Sequence, residues 1–493
     1  MVFLRYILVS VLLVCSEIYS QQATDFLSKD FHRERRNILR AKMPKNSVAV
    51  IFANPIRNRS NDVDYVFHQD PNFYYLTGYR EPNAVLVLYA DMQTSANGNT
   101  FNEVLYVQRR DKEREMWNGK RLGVEGAKKE LGFTTVKTTE EFETDHIDFK
   151  KFDKIFVEKF NDDYRNSISD KAETYDLVES FKKQSGYNLA IFKPTSNNPY
   201  EKEYNPKVDL GLSKKIDVGF LPYELAGMRE IKTPEELKLL TKAIRISAIG
   251  QIETMKAMQP GMSETEIQGI HEFVYKKYGA EFEGYPSIVG SGNNGCILHY
   301  IENDKPTVGN NLVLMDVGAE YHGYTADVTR TIPANGKFNA QQKAIYNLVL
   351  KAQKAGIEAC RAGNLFWATK LVTKKIINQG LFDLGIIKSI DQKHKYFPHG
   401  TSHHIGLDVH DLSNYGALQP NMVITVEPGV YIPKGSNCDK KWWGIGVRIE
   451  DDVLITNSAP KVLSEEAPKT VEAIEKMMAK KSVLDDFILP DLD

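Results

Sequence analysis

The sequence predicts two folded domains, an α/β domain followed by an α+β domain. The chain has 493 residues, and domains usually contain about 100–200 residues. Apolar strand-like runs alternate with polar helical stretches in residues 24–205, which is typical of an α/β domain. In residues 228–480 the helices and the strand pairs fall into separate blocks, as in α+β domains. The loose, polar segment between them places a linker at residues 206–227, and residues 481–493 form a C-terminal tail.

Residues 1–20 predict a secretory signal peptide. The start MVFLR is positive, YILVSVLLVC is apolar, and Ser20 is a small residue before cleavage at Gln21. The apolar run is shorter than the about 20 residues that a transmembrane helix needs. We therefore expect an exported protein, secreted or periplasmic, without membrane attachment after cleavage. An uncleaved anchor is the alternative.

Composition narrows the possible partners. The net charge is -2 and no long basic block is present, so nucleic acid is not expected as a partner. Cleavage would leave three widely spaced cysteines, Cys296, Cys360 and Cys438. An odd number at such spacing does not form a disulfide framework, so we expect buried free thiols.

The individual elements follow from local patterns. In the first domain, SVAVIFANP, AVLVLYAD, NEVLYVQRR and DKIFVEKF predict strands. The second domain opens with a helix that has Thr233 as its cap, Pro234 in its first turn and Glu236 in a capping box. Ser263 caps another long helix, and two more helices are predicted between Asn339 and Gly380. The segment TVEAIEKMMAKKS predicts the last helix.

Four carboxylates lie in apolar, strand-like surroundings: Asp316 in LVLMDVG, Asp327 in YTADVTRTI, Glu427 in MVITVEPGVYI and Glu450 in IGVRIEDDVLI. Val, Ile, Leu, Thr and Tyr dominate these runs, so each run predicts a buried strand. A buried carboxylate costs several kcal/mol unless a positive group meets it. The same runs contain only two basic residues, so the four acids predict a metal centre and hence an enzyme.

Asp316 and Asp327 are predicted to lie on one hairpin. A turn near Tyr321-His322-Gly323 would place them opposite or diagonal to each other. Their Cβ atoms would then be about 4.5–8 Å apart, close enough to reach one metal pair.

The last apolar run adds a cation to the acids. Arg448 lies two residues from Glu450, so both face the same side of a strand. Arg448 is expected either to neutralise excess negative charge or to bind a substrate carboxylate. Asp451 and Asp452 are expected to be ordinary surface acids.

Four of the 11 histidines crowd into FPHGTSHHIGLDVHD: His399, His403, His404 and His410. Histidine is the commonest metal ligand and a proton shuttle near neutral pH. The spacing is not HExxH, which argues against a zincin, and Ser402 lacks the G-x-S-x-G elbow of a serine nucleophile. The glycines of GSGNNG match a dinucleotide fingerprint, but a β-like run follows them instead of a helix. We interpret them as a close-approach turn that presents His299.

The donor set favours particular ions. Four carboxylates with one histidine form a mainly oxygen site, which suits Mn²⁺, Mg²⁺, Fe²⁺ or Co²⁺ better than a sulfur-rich zinc site does. Four acids are too many for one small cation, whereas two ions that share bridging carboxylates would balance them. A pair of ions about 3.5–4 Å apart is a device of hydrolases, where it activates water and polarises a carbonyl.

The ordered set Asp316, Asp327, His403, Glu427 and Glu450 resembles the metal ligands of the pita-bread metallopeptidases. The stretches YPSIVGSGNNGCILHYIEND, HGTSHHIGLDVHD, VEPGVYI and GIGVRIEDD are similar to Xaa-Pro aminopeptidases (aminopeptidase P) more than to methionine aminopeptidases. DYVFHQDPNFYYLTGYREPNAVLVL and EMWNGKRLG are similar to the N-terminal domain of that family. The resemblance implies a creatinase/aminopeptidase P type N-terminal α/β domain and an α+β pita-bread catalytic domain.

The resemblance also implies a reaction. The chain is expected to release the first residue from peptides that have proline second, through attack of a metal-bridging hydroxide on the X-Pro bond. Two divalent ions are implied, with Mn²⁺ as the first candidate and Co²⁺, Fe²⁺ or Zn²⁺ as alternatives. The implied partners are X-Pro peptides and further copies of the chain in a dimer or tetramer. A prolidase-type X-Pro dipeptidase is the alternative function, and a non-catalytic peptide-binding protein is a third.

Individual roles come from the same resemblance. Asp316 would hold one ion, Asp327 and Glu450 would bridge both, and His403 and Glu427 would hold the other. Glu427 would also be the base for the attacking water.

Further positions are implied to contact the substrate. His410 would contact the scissile carbonyl, and His299 and His399 would frame the proline. The implied substrate-binding residues are Tyr285, Tyr431, Arg448, Asp62 and Trp117, of which Asp62, Arg448 and Tyr431 would form a polar network at the entrance. Trp117 belongs to a motif that can reach an active site across a subunit contact.

Two positions depart from the family pattern. His404 stands where these enzymes often carry an aromatic residue, which leaves the local pocket preference open. In the loop PKGSNCDKKWWGIG, we expect the adjacent tryptophans to pack rather than to line the substrate entrance.

Overall fold

The computed structural model describes residues 25–95, 97–161, 165–166, 171–187 and 215–486. The predicted signal peptide and most of the predicted tail therefore lie outside the described residues. Within those ranges, no helix is both long enough and apolar enough to cross a membrane.

The first domain is built around one mixed sheet. Its helices are α1 (Lys29–Lys42), α2 (Pro71–Thr77), α3 (Lys112–Asn118), α4 (Gly123–Leu131), α5 (Thr139–Thr144) and α6 (Thr174–Ser185). Its strands are β1 (Ser47–Phe52), β2 (Asn58–Ser60), β3 (Val63–Asp64), β4 (Val85–Thr94), β5 (Thr100–Val107), β6 (Val136–Thr138), β7 (Lys154–Val157) and β8 (Ile216–Asp217). The four strands predicted for this domain are confirmed as β1, β4, β5 and β7.

The sheet has the order β6-β5-β4-β1-β7-β8. The central pairs β1–β4 and β4–β5 are antiparallel, whereas β7 and β8 continue in parallel from β1. Apolar side chains of β1, β4 and β5 are buried on both faces of the sheet. This accounts for their nearly continuous apolar sequences, because helices or the second domain cover each face.

The second domain combines long helices with small sheets. Its helices are α7 (Phe220–Arg229), α8 (Pro234–Ala257), α9 (Glu264–Lys277), α10 (Ala340–Ala359), α11 (Ala368–Asp383) and α12 (Val471–Met478). Its strands are β9 (Phe282–Glu283), β10 (Ile288–Ser291), β11 (Leu312–Val317), β12 (Ala319–Tyr321), β13 (Tyr324–Thr325), β14 (Val328–Pro333), β15 (Val423–Val426), β16 (Gly429–Ile432), β17 (Ile445–Arg448), β18 (Asp451–Leu454) and β19 (Lys461–Val462).

The predicted helix starts of this domain are confirmed. The Thr233 hydroxyl accepts a hydrogen bond from the Glu236 amide (3.3 Å), and Glu236 Oε2 accepts one from the Thr233 amide (2.9 Å). This is the reciprocal capping box, with Pro234 in the first turn of α8. Ser263 caps α9 through its hydroxyl, which accepts a hydrogen bond from the Glu266 amide (3.0 Å).

The described part of the predicted linker, from residue 215 onward, is packed secondary structure. Strand β8 pairs with β7 at the edge of the first domain's sheet. Helix α7 follows directly, and its Leu221 and Leu225 are fully buried in a core that both domains share. The described residues of the predicted linker at 206–227 therefore include strand β8 and most of the packed helix α7.

Small antiparallel sheets position the acids of the second domain. β11 pairs with β10 on one side and β14 on the other, and Asp316 lies opposite Thr329. β15 pairs with β18, and β16 pairs with β17. The hairpin predicted around Tyr321-His322-Gly323 is confirmed: β12 and β13 form its tip, and Asp316 and Asp327 are diagonal across it.

The cysteines and the adjacent tryptophans of the second domain were expected to pack in its interior. Cys296, Cys360 and Cys438 are free thiols, although only Cys360 is fully buried. Trp442 is buried, and Trp443 is partly buried and donates its indole N–H to the Ser436 carbonyl (2.9 Å). The tryptophans therefore pack against the second core, as expected.

Candidate metal centre

All four acids were predicted to lie within strands. Three of them lie instead at breaks between short strands. Asp327 separates β13 from β14, Glu427 separates β15 from β16, and Glu450 separates β17 from β18. Only Asp316 is inside a strand, near the end of β11. A side chain in a regular strand is confined to one of two faces, whereas a break allows it to turn toward a shared point. The three breaks therefore let Asp327, Glu427 and Glu450 turn toward one centre.

His403 lies at that centre. Its Nε2 atom is 3.3 Å from Asp327 Oδ2, 3.6 Å from Glu427 Oε1 and 3.9 Å from Glu450 Oε1. Its Nδ1 atom faces the His404 carbonyl at 3.2 Å, which favours the tautomer with the proton on Nδ1. The Nε2 lone pair is then free to bind a cation between the carboxylates.

The backbone fixes the His403 side chain. The His403 amide donates to the Thr425 hydroxyl (3.0 Å), and the Thr425 amide donates back to the His403 carbonyl (2.9 Å). Since Thr425 is in β15, two residues before Glu427, the same contact sets the positions of both His403 and Glu427.

Asp316 is linked to the cluster through Tyr285 and Arg448. The Tyr285 hydroxyl lies 2.6 Å from Asp316 Oδ1 and 2.5 Å from Asp327 Oδ1. The Arg448 guanidinium forms an ion pair with Asp316 Oδ2 and donates to the Tyr431 hydroxyl (2.9 Å). These contacts agree with the expected role of Arg448 in neutralising negative charge, and its binding of a substrate carboxylate stays a prediction.

Glu427 contacts the first of the predicted substrate histidines. His399 Nδ1 is 3.4 Å from Glu427 Oε2, and His399 Nε2 is 2.8 Å from the Tyr431 hydroxyl. Arg448, Tyr431, His399 and Glu427 thus form one continuous polar chain that ends at the cluster. Burial opposes ionisation of Glu427, but its hydrogen bond and charge interaction with His399 lower the pKa of the carboxyl.

The pKa directions of the other groups show excess negative charge. Burial, followed by repulsion from Asp327 and Glu427, raises the pKa of Glu450 well above its usual range. Burial and Asp316 raise the pKa of Asp327. Burial opposes protonation of His403, yet Asp327 and Glu427 raise the pKa of that imidazole to about 9. The raised pKa values of these three groups show that the cluster carries more negative charge than its own side chains neutralise.

These residues fit divalent metal ions. Ligand atoms of Asp327, His403 and Glu450 lie within 4.8 Å of one another. Glu450 Oε1 is buried and has no hydrogen-bond partner among the described residues, although a buried carboxylate oxygen normally has one. An oxygen-rich set with one imidazole suits Mn²⁺, Fe²⁺ or Co²⁺. The cluster would hold metal through Asp316, Asp327, His403, Glu427 and Glu450.

Of the two further predicted histidines, only His410 has a described contact with this cluster. The ring of His410 packs edge-on against that of His403, with 4.5 Å between the centroids. Burial, then the charge of His403, lowers the pKa of His410. His299 is exposed on the loop after β10, beyond the turn in which the Gly290 carbonyl approaches Gly295. A Cβ atom on Gly290 would lie 2.8 Å from the Gly295 nitrogen, which agrees with the predicted close-approach turn.

Asp62 and Trp117 are not brought to the cluster within one chain. Asp62 lies in the exposed turn between β2 and β3 of the first domain, and Trp117 is near the end of α3 with 85% of its surface exposed. The contacts of Arg448 and Tyr431 among the described residues all come from the second domain. Among the described residues of one chain, Asp62 therefore makes no contact with Arg448 or Tyr431, and the network that would contain all three stays a prediction.

The expectation that Asp451 and Asp452 are surface acids is wrong, because both are fully buried. Asp451 pairs with Arg330 (2.7 Å) and accepts hydrogen bonds from Ser464 and Gln353. Asp452 Oδ2 accepts from the Asp327 amide (3.2 Å). Asp451 binds Arg330, which also donates to the Glu450 carbonyl, and Asp452 binds the backbone of Asp327. Both acids therefore help to fix the backbone that carries two of the candidate ligands.

His404 takes the place of an aromatic side chain. It is buried and stacks on Phe366, with 5.3 Å between the ring centroids and 14° between the planes. Burial, assisted by the charge of Lys232, lowers the pKa of His404 to about 3. The ring is therefore neutral near pH 7 and packs as an apolar plate.

Two supporting groups were not found from the sequence. Asp411, next to His410, forms buried ion pairs with Arg229 and Lys232 (3.0 Å to the lysine). Lys370 of α11 donates to the His399 carbonyl, and burial lowers the pKa of this lysine to about 8. No local pattern marks these residues, since Asp411 is 182 residues from Arg229. Only the tertiary structure brings them together.

Comparison with known proteins gives consistent results. The family model described as "Metallopeptidase family M24" matches residues 238–457, and "Aminopeptidase P, N-terminal domain" matches residues 32–154. The chain is 36% identical over 466 residues to Xaa-Pro aminopeptidase of Haemophilus influenzae, covering 92% of the chain and 98% of that protein. It is 34% identical over 485 residues to Xaa-Pro aminopeptidase 3 of Rattus norvegicus, covering 94% and 88%.

Solved structures are similar over the same length. Aminopeptidase P from Escherichia coli with the inhibitor Pro-Leu has a TM-score of 0.78 and 33% identity, and the match covers 92% of this chain and 98% of that one. Proline aminopeptidase P II from Yersinia pestis has a TM-score of 0.78 and 33% identity, and the match covers 92% of this chain and 100% of that one. The structural similarity therefore extends over both domains.

Proposed function

Because the chain belongs to metallopeptidase family M24 and is a metallo-aminopeptidase of the Xaa-Pro aminopeptidase group, we propose that it releases the N-terminal residue from peptides with proline in the second position. The fold class predicted from the sequence, an aminopeptidase P type N-terminal domain followed by a pita-bread catalytic domain, is confirmed by the same comparisons. The observation that carries the proposal is the convergence of Asp327, His403 and Glu450 with the neighbouring Glu427 and Asp316.

The bond to be cleaved explains the need for such a centre. An X-Pro bond is a tertiary amide whose nitrogen carries no hydrogen. When bound, a pair of divalent ions supplies a water of lowered pKa and polarises the scissile carbonyl. We propose two ions, with Mn²⁺ as the first candidate and Co²⁺, Fe²⁺ or Zn²⁺ as alternatives.

The side chains of this chain then handle the proton and the substrate. Glu427 has a lowered pKa, so it is ionised near pH 7 and can accept the proton of the attacking water. Its contact with His399 keeps the accepting oxygen oriented. His410, whose ring lies beside His403, donates to the scissile carbonyl oxygen. His299 and His399 frame the proline ring from either side of the entrance.

The proposal is tested with a series of X-Pro peptides. Purified protein with added Mn²⁺ is expected to release the first residue from an X-Pro-Y tripeptide and to lose this activity on chelation. A matched X-Ala-Y tripeptide is the substrate control. Unchanged turnover in metal-free protein would contradict the metal role, and equal turnover of X-Ala-Y would contradict the proline preference. Cleavage of the X-Pro dipeptide alone would indicate a prolidase-type dipeptidase.

We further propose that the chain is exported, by cleavage after Ser20. The support is the sequence pattern of residues 1–20, which the structure does not describe. N-terminal sequencing of protein recovered from the medium or periplasm is expected to begin at Gln21. Recovery of the full-length chain from membranes would favour the uncleaved anchor.

A homo-oligomer, either a dimer or a tetramer, is also proposed. Large apolar side chains of the first domain are exposed in and after β3 and in α3: Val63, Tyr65, Val66, Met116 and Trp117. Association would cover them and could bring Trp117 to the entrance of another subunit's active site. Light scattering is expected to give a dimer or tetramer mass that falls to the monomer mass in the variant Met116→Asp/Trp117→Asp. A monomeric wild-type chain would contradict this proposal.

A further inference from the structure

The N-terminal residues of the described chain reach across to the catalytic domain. Asp25 Oδ1 accepts hydrogen bonds from the Tyr321 hydroxyl (2.7 Å) and His322 Nε2 (3.0 Å), and Asp25 Oδ2 accepts one from Lys242 Nζ (2.9 Å). All three donors belong to the second domain. Although burial opposes it, these contacts lower the pKa of the Asp25 carboxyl well below its usual range.

Phe26 adds an aromatic contact to the same place. Its ring stacks on His322 with 3.5 Å between the centroids and 21° between the planes. On the other side, the guanidinium carbon of Arg80 in the first domain lies 3.8 Å from the Phe26 centroid. We name the pair Asp25 and Phe26 the N-terminal clasp, since it joins the first domain to the tip of the catalytic hairpin.

The conformation of the hairpin tip is also constrained at His322, both in its backbone and in its side chain. His322 adopts a left-handed backbone conformation (φ 52°), which is uncommon for a residue with a side chain. Its side chain is fully buried between two acids, with Nδ1 2.6 Å from Glu281 Oε1 and Nε2 3.0 Å from Asp25 Oδ1. Each ring nitrogen thus has one carboxylate as its partner. The clasp thus supplies one of the two partners of a buried ring.

This tip connects two residues of the candidate metal centre. β12 and β13 continue directly from the positions of Asp316 and Asp327, and the tip is the turn between them. A second contact from the first domain acts on the same hairpin, because His68 Nε2 lies 2.9 Å from Glu320 Oε1. The separation of the two aspartates therefore depends on a hairpin that is anchored from the other domain.

We propose that Asp25 and Phe26 are positioning residues for the metal centre, which hold the hairpin so that Asp316 and Asp327 face the same ions. The inference rests on the metal centre of the proposed function. Groups that orient metal ligands typically change metal affinity by about 10–100-fold when they are removed. The clasp acts through the hairpin and not on a ligand directly, so an effect of about tenfold is expected.

Metal affinity of the metal-free mature chain tests the proposal. We expect the variant Asp25→Asn/Phe26→Ala to bind Mn²⁺ with an apparent Kd raised about tenfold, measured by calorimetry well below its unfolding temperature. Asp30→Asn is the matched control, because Asp30 is exposed in the first turn of α1 and its one ion pair within the described ranges is with Arg33. Its Kd is expected to stay within twofold of the wild-type value.

A double-mutant cycle separates positioning from a general loss of stability. Tyr321→Phe removes one donor to Asp25, so Asp25→Asn and Tyr321→Phe together should raise the Kd less than the product of the two single effects. Clasp variants with an unchanged Kd would overturn the inference, even if their unfolding temperature falls. A wild-type chain that binds none of Mn²⁺, Co²⁺, Fe²⁺ and Zn²⁺ would overturn the proposed function as well, so the two failures are distinguishable.

Discussion

Asp451→Asn is expected to destabilise the catalytic domain strongly, although the sequence suggests a harmless surface change. Asp451 and Arg330 are both fully buried and their charged atoms are 2.7 Å apart. The substitution leaves the guanidinium without its carboxylate and places an amide N–H₂ among donors. Removing one partner of a buried pair costs about 3–5 kcal/mol.

The partners of Arg330 set the expected value within that range. Its guanidinium also donates to the carbonyls of Thr329 (2.9 Å), Glu450 (2.6 Å), Ala467 (3.0 Å) and Pro468 (3.1 Å). These acceptors satisfy its hydrogen bonds but not its charge. We therefore expect the lower end, a decrease of about 3 kcal/mol in the free energy of unfolding.

Urea unfolding followed by tryptophan fluorescence is a suitable assay. Three of the 4 tryptophans, Trp367, Trp442 and Trp443, belong to the catalytic domain, so the signal reports mainly on that domain. A loss of about 3 kcal/mol corresponds to a midpoint lowered by about 1 M urea or more. Glu466→Gln is the control, because Glu466 pairs with Arg245 (2.7 Å) at the exposed surface and should cost below about 1 kcal/mol. An Asp451→Asn variant no less stable than this control would refute the reasoning.

Three further changes have defined outcomes. Glu427→Gln removes the proposed proton acceptor, so turnover of X-Pro-Y should fall by at least about 10²-fold while the circular dichroism spectrum is unchanged. Gly406→Ala places a Cβ atom 2.1 Å from Asp411 Oδ2 and should destabilise the fold by about 1–3 kcal/mol, measured by urea unfolding. Burial, with repulsion from Asp70, raises the pKa of Glu158 from 4.5 to about 8. The folded state then holds a proton that the unfolded state releases, so this contribution to stability is present below about pH 4.5 and is lost as the pH rises toward 8. Glu158→Gln, which mimics the protonated acid, should flatten the pH dependence of the unfolding temperature over that range.

Each of these has an outcome that contradicts it. Wild-type turnover in Glu427→Gln would exclude that residue as the base. Gly416→Ala is the control for Gly406→Ala, since a Cβ atom at Gly416 has no neighbour within 4 Å. Equal stability of the two alanine variants would show that Asp411 can move without cost. A Glu158→Gln variant with the wild-type pH dependence would assign the titration to another group.

The features that were predicted correctly from the sequence are those that depend on a local pattern of residues. The capping box at Thr233 and the hairpin around His322 both depend on residues close together in the chain, and both are present. Burial of Asp451 could not be predicted in this way. Its partner Arg330 is 121 residues away, and nothing in the run IEDDVLI indicates that pairing. The position of Glu450 at a strand break was missed for a similar reason: its apolar neighbours continue on both sides, and only the pairing of β17 and β18 with different strands ends the element.

The candidate site was predicted more completely than its supports. An acidic residue inside an apolar run is unusual. Asp316, Asp327 and Glu450 could therefore be selected as candidate metal ligands from the sequence alone. The residues that hold them, such as Thr329, which donates to Glu450 Oε2 (2.7 Å), are ordinary strand residues. Their importance arises only from tertiary contacts.

The three unpaired cysteines have a consequence for the conditions in which this fold can work. Burial raises the pKa of the Cys296 and Cys360 thiols to about 12, so both stay protonated and react slowly with oxidants. Cys296 and Cys360 are therefore poor partners for thiol exchange. Among the described residues no disulfide joins the three cysteines, so a change in the surrounding redox potential breaks no covalent cross-link of the described core.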